Sequence, residues 1–76
     1  MKVKELIEIL QEKDPEQIVV VPGYEGGYND VAAVDSVKLK LDVNSSWYYG
    51  KHDDVSDEPD VAFDCWAVKL WGSNDI

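Results

Sequence analysis

The chain has no arginine, one cysteine, one histidine and no long apolar run, and each shortage closes a class of function. Without arginine it lacks the side chain that reads guanine bidentately, and seven lysines against sixteen acids leave no basic patch to neutralise phosphates. Direct nucleic-acid binding and attachment to an anionic membrane are therefore excluded as expectations. A lone Cys65 cannot form an intrachain disulfide, and one histidine with one cysteine cannot supply a structural zinc set. No stretch reaches the length of a membrane span or the apolar core of a secretion signal, so the sequence predicts a cytoplasmic protein.

What is present is acid and aromatic side chains. The net charge is -9, from eight acids against five lysines in residues 1–40 and eight against two in residues 41–76. A basic protein surface is the partner this balance favours. Seventy-six residues predict a single domain, and a core of that size supplies only about 3 to 5 kcal/mol, so self-association into a homodimer is the natural supplement.

All four tyrosines and one of the three tryptophans fall in two polar, glycine-containing stretches, 22–30 and 44–52. Tyr24, Tyr28, Trp47, Tyr48 and Tyr49 beside turn residues call either for local packing or for recognition. Glu25 and Asp30 flank the first group; Asp53, Asp54, Asp57 and Glu58 follow the second. These eleven residues form the candidate partner-binding set.

The coarse pattern predicts an α+β fold, one helix laid on a sheet of three or four mainly antiparallel strands. Val3, Leu6, Ile7 and Leu10 follow the i, i+3, i+4, i+7 rule, predicting a helix from about residue 3 to 13 with Glu5, Glu8 and Glu12 as an acidic outer ridge. Asp14-Pro15 stops it. The β-branched run 18–21 reads as a strand covered on both faces or lying in the middle of a sheet, ended by Pro22-Gly23. Val37, Leu39, Leu41 and Val43 alternate with polar residues as a half-buried strand. Residues 31–34 either extend that strand or form another across a bend at Asp35-Ser36. The acidic segment 51–60 reads as a solvated loop that contributes nothing to the core. In the last strand, 61–71, Trp66, Val68 and Leu70 share one face while Phe63, Cys65, Ala67 and Trp71 share the other. A single helix covers only one of these faces. The second packs against the aromatic loops or meets a second copy.

Catalytic and cofactor chemistry finds little purchase. The stretch 23–30 has glycines but lacks the Gly-Lys-Ser/Thr of a phosphate loop and the Gly-x-Gly-x-x-Gly of a dinucleotide loop, and Glu25 and Asp30 repel phosphate. Its glycines read better as a turn at positive φ. The acidic run departs from a calcium loop, which needs glycine at its sixth position and glutamate at its twelfth. Cys65 reads as an inert apolar residue, and no catalytic triad is present. The chain is expected to be non-enzymatic, without metal or cofactor.

The stretches Val-Val-Val-Pro-Gly-Tyr-Glu-Gly-Gly-Tyr-Asn-Asp at 19–30 and Leu-Asp-Val-Asn-Ser-Ser-Trp-Tyr-Tyr-Gly at 41–50, with Lys-Val-Lys-Glu-Leu-Ile-Glu at 2–8 and Asp-Pro-Glu at 14–16, resemble small acidic proteins of phages and prophages. The resemblance covers most of residues 2–52. It implies a bacterial host cell as the setting and transfers no catalytic residue. Small acidic phage proteins often bind host defence enzymes, anti-CRISPR proteins among them, and by analogy the chain is expected to inhibit a basic nucleic-acid-handling host protein. Two other readings stand beside it. One is a small-molecule or nucleotide-signal binder whose aromatics stack on a base while the Gly26 and Gly27 amides meet phosphate. The other is a structural, homodimeric accessory domain.

Overall fold

The computed structural model describes residues 1–75. One N-terminal helix is followed by a four-strand antiparallel sheet, an α+β fold. Helix α1 spans Val3–Gln11, and strands β1, β2, β3 and β4 span Val20–Pro22, Tyr28–Lys40, Asp53–Asp54 and Cys65–Gly72, before a short 3-10 helix at Ser73–Asp75. β2 is the hub: β1, β3 and β4 all pair with it. By its contacts the chain divides into two compact units, Met1–Ala33 with the chain end from Leu70 onward, and Val34–Lys69.

In the first unit the helix ends two residues before the predicted stop. The Glu12 and Lys13 amides donate to the Ile9 and Leu10 carbonyls, tightening the last turn ahead of a hydrogen-bonded Asp14–Gln17 turn. Asp14 shapes that turn by accepting from the Glu16 amide at 2.9 Å. The apolar stripe has the expected spacing, yet Leu6 alone on α1 is half-buried and the rest of the helix is exposed.

β1 pairs antiparallel with β2 in the register Val20 with Asp30, Val21 with Asn29 and Pro22 with Tyr28. The expectation of a strand covered on both faces fails here, because Ile18, Val19 and Val20 are exposed. β1 ends the strand order and stops at Pro22 as expected, and Pro22, which has no N–H to give, suits an edge. The chain end is tied to this hairpin: Asn29 Nδ2 donates to Asn74 Oδ1 at 3.0 Å, and the buried Gly72 donates its N–H to Asp75 Oδ2 at 3.3 Å. A Cβ at Gly72 would lie 3.1 Å from Val21 Cγ2, so glycine permits that close approach.

The second unit holds Val37 and Val55, the buried hydrophobic side chains among the described residues, each 7% exposed. β2 runs without a break through Asp35-Ser36, so 31–34 extends it. It stops at Lys40 rather than Val43, and Asp42 turns the chain at φ 55°, a left-handed position that aspartate tolerates better than most residues. The 51–60 segment corrects the sequence reading. It contains β3, paired as Leu39 with Asp54 and Lys40 with Asp53, and it contributes Val55 to the core. Beyond β3 the ladder is continued by the Val55 amide donating to the Lys38 carbonyl at 2.9 Å, and by the Lys38 amide donating to Ser56 Oγ at 2.9 Å.

β4 alternates as predicted, with Cys65, Ala67, Lys69 and Trp71 half-buried and Trp66, Val68 and Leu70 exposed. Phe63 departs from its assigned face. The strand begins only at Cys65, so strand parity does not reach back to it, and its ring stands edge-on to Trp66 with centroids 5.6 Å apart.

Candidate functional site

In the first unit, the candidate residues sit on the β1–β2 hairpin. The Gly23 N–H donates to the Gly27 carbonyl at 2.9 Å, while Gly26 and Gly27 adopt φ of 141° and 64°. A Cβ on Gly23 would come within 2.4 Å of the Gly26 carbonyl oxygen, so the tight tip excludes a side chain there. The glycines form the positive-φ turn expected of them and lift Tyr24, 94% exposed, and Glu25 into solvent. Tyr28 and Asp30 are exposed on the adjoining strand. The same unit has an open groove of about 440 Å³ lined chiefly by Leu10, Pro15, Ile18, Val19 and Val20, and it contains none of the eleven candidate residues.

In the second unit, the loop between β2 and β3 is held at its neck by polar side chains. Asn44 Nδ2 donates to the Gly50 carbonyl at 2.9 Å and to Asp53 Oδ1 at 2.7 Å, and the Asn44 amide meets the Lys51 carbonyl at 3.2 Å. His52 Nδ1 accepts from the Asp42 amide at 3.0 Å, which requires that nitrogen to be unprotonated. The Asp64 carboxylate accepts the Leu41 amide at 2.8 Å, and Lys51 Nζ lies 3.9 Å from Asp42 Oδ1. Within the loop, the Tyr49 amide closes a turn onto the Ser46 carbonyl at 3.1 Å.

This mesh presents three rings. Trp47 and Tyr48 are edge-to-face at 5.7 Å and 88°, and Tyr48 and Tyr49 are tilted by 42° at 5.3 Å. They are 93%, 69% and 64% exposed. Asp53 is tied to the neck through Asn44, and Asp54, Asp57 and Glu58 are exposed beyond it. Asp54 has a structural role as well. The Ser56 hydroxyl and then the Ser56 amide, 2.9 Å from Oδ1, hold its carboxyl below the ordinary carboxylate value; Lys69 helps and desolvation opposes.

Sequence reading missed Asn44, His52 and Asp64 as the fasteners of this loop. The spacing of Asn44 from Gly50 and Asp53 hints at a side chain bridging a loop neck, but several polar residues compete for that role until the fold chooses among them. Among the described residues, no group of three or more His, Cys, Asp or Glu side chains is disposed to hold a metal ion, and no helix is long and apolar enough to cross a membrane. No family model, curated protein or solved structure matches the chain.

Proposed function

We propose that this chain is a non-enzymatic interaction protein that binds a basic surface of a nucleic-acid-handling protein in a bacterial host and inhibits it. The observation that carries the reading is the loop of residues 41–52, where Trp47, Tyr48 and Tyr49 stay in water while the backbone beneath them is fixed by Asn44 and His52. Large exposed rings on an ordered loop are the anchors that dominate protein interfaces, and a loop ordered beforehand loses less entropy on binding. The neighbouring exposed carboxylates supply long-range attraction to a positive surface and reject an anionic one. Exposed acids of this density also suit a mimic of a phosphate backbone occupying the groove of such a partner.

The test is retention of basic nucleic-acid-handling proteins from a bacterial lysate on the immobilised chain, at low and at high salt, followed by an activity assay on each retained protein. Retention is expected to fall with salt, and to fall at low salt when Asp53, Asp57 and Glu58 are replaced by Asn, Asn and Gln. Retention that ignores both salt and the triple replacement rejects the reading.

A further inference from the structure

We infer that the Trp47, Tyr48 and Tyr49 cluster receives an arginine side chain of the partner, a refinement that rests on the basic-surface reading above. The second unit already contains one cation held by a ring pair. Phe63 and Trp66 stand edge-to-face at 5.6 Å and 73°, and Lys38 Nζ lies 5.3 Å and 5.5 Å from their centroids. That distance is within the range over which a ring quadrupole attracts a cation.

Trp47 and Tyr48 repeat the same ring geometry at 5.7 Å and 88°, with Tyr49 adding a third ring. Lys51, the lysine next to this cluster in sequence, is turned to Asp42. The rings instead face solvent on a loop whose neck is pinned. A cation for these rings therefore comes from outside the chain.

The charge of the same stretch of sequence selects the same ligand. Between residues 42 and 60 the sequence has six carboxylates, Asp42, Asp53, Asp54, Asp57, Glu58 and Asp60, against Lys51 alone. An apolar partner would take those carboxylates out of water without compensation, whereas a cationic one pairs with them. Guanidinium fits better than ammonium. It is planar, so it stacks on an indole face while its edge N–H groups remain free to meet a carboxylate, and it is the more weakly hydrated of the two.

The test uses four unstructured peptides of equal length in which glycine alternates with arginine, lysine, citrulline or glutamate. Binding is followed by the indole N–H resonances of the folded chain. The arginine peptide is expected to shift the Trp47 resonance and to bind more tightly than the lysine peptide, while the neutral citrulline and the glutamate peptides do not bind. Trp47→Ala should weaken the arginine peptide about 5- to 30-fold, the equivalent of one favourable cation–ring contact, and Trp47→Phe should restore part of it. Circular dichroism identifies any variant that has lost its fold, and Tyr48→Leu then provides the same test.

Equal affinity for lysine and arginine overturns the guanidinium assignment. Undiminished arginine binding by Trp47→Ala and Tyr48→Leu overturns the ring site and leaves the basic-surface reading standing. Failure of the arginine peptide to bind, alongside salt-sensitive retention of basic proteins from lysate, overturns this inference alone; failure of both overturns the reading beneath it as well.

Discussion

Among the described residues, the unit built on Met1–Ala33 and the chain end has the helix and buries no hydrophobic side chain, whereas the unit Val34–Lys69 has no helix and buries Val37 and Val55. The difference lies in how each closes its backbone. The first unit is made of an amphipathic helix, a five-residue hairpin loop and a short 3-10 turn, and its long-range Asn29–Asn74 bond joins two side chains. In the second unit long-range bonds hold the backbone itself. Lys38 bonds to Val55 and Ser56, and Leu39 and Leu41 bond to Asp64. Polar fasteners of that kind bring a lone valine from an acidic segment against β2. A regular apolar stripe is therefore no guarantee of burial, and an acidic run is no guarantee of solvation.

The largest effect expected to separate the units is at Val55. Val55→Asp places a carboxylate in a site that is 7% exposed and should cost upwards of about 3 kcal/mol, enough to unfold a domain this small. Val55→Ala removes two methyl-sized groups and should cost about 2 kcal/mol, while Ile7→Ala on the 49% exposed helix stripe should cost under about 1 kcal/mol. Urea unfolding followed by far-UV circular dichroism measures all three. A cost at Ile7 equal to that at Val55 would break the comparison, because it would mean that the helix stripe is covered in solution.

Much of the fold was legible in residues 1–27 and 65–72, where periodicity and turn chemistry speak directly. The helix start, the alternation of Trp66, Val68 and Leu70, and the glycine turn all followed from spacing and steric rules that act within a few residues. Exposure was less legible. The run 18–21 has the composition of a buried strand, yet whether a strand is central or at an edge depends on pairing with residues far along the chain, and only Pro22 signalled the edge. Val55 was hidden for the same reason, since its burial rests on β3 docking along β2. At the candidate site, the aromatic and acidic residues stood out by type, while Asn44, His52 and Asp64 did not, because their side-chain partners lie up to 23 residues away.

Gly23 gives the next largest effect, and it tests the first unit on its own ground. Gly23→Ala forces a Cβ against the Gly26 carbonyl and should cost about 1 to 3 kcal/mol, against about 1 kcal/mol for Gly27→Ala, where the strain is the positive φ alone. Thermal unfolding would show the ranking, and a neutral Gly23→Ala would mean that the tip is not closed as described. In the second unit, Asn44→Ala removes the bonds to Gly50 and Asp53 and should cost about 1 kcal/mol, with faster amide exchange across residues 45–50. Unchanged exchange would assign the order of the loop to something other than its neck.

Acid should act on the second unit through Asp54. Its carboxyl is held below the ordinary value of 3.8 by Ser56, so the folded state favours the charged form more than the unfolded chain does. The contribution is fully present above the unfolded value and is lost as pH falls below about 3.8 through the lower folded value. Ser56→Ala should flatten that part of the acid-unfolding curve, measured by circular dichroism along a pH titration.

The smallest expected effect is the most discriminating for function. Trp47 is 93% exposed and meets the Tyr48 ring edge-to-face, so Trp47→Ala should change stability by no more than about 0.5 kcal/mol. If the loops instead served to cover a sheet face, loss of the indole would expose that face and the variant would unfold with a penalty of about 3 kcal/mol or more. A stable Trp47→Ala that no longer retains basic proteins places the ring in recognition. An unstable one places it in packing, and moves the second unit toward the role of a structural, self-associating domain. That single equilibrium measurement separates the two reasons a small acidic chain has for placing a tryptophan at the tip of a polar loop.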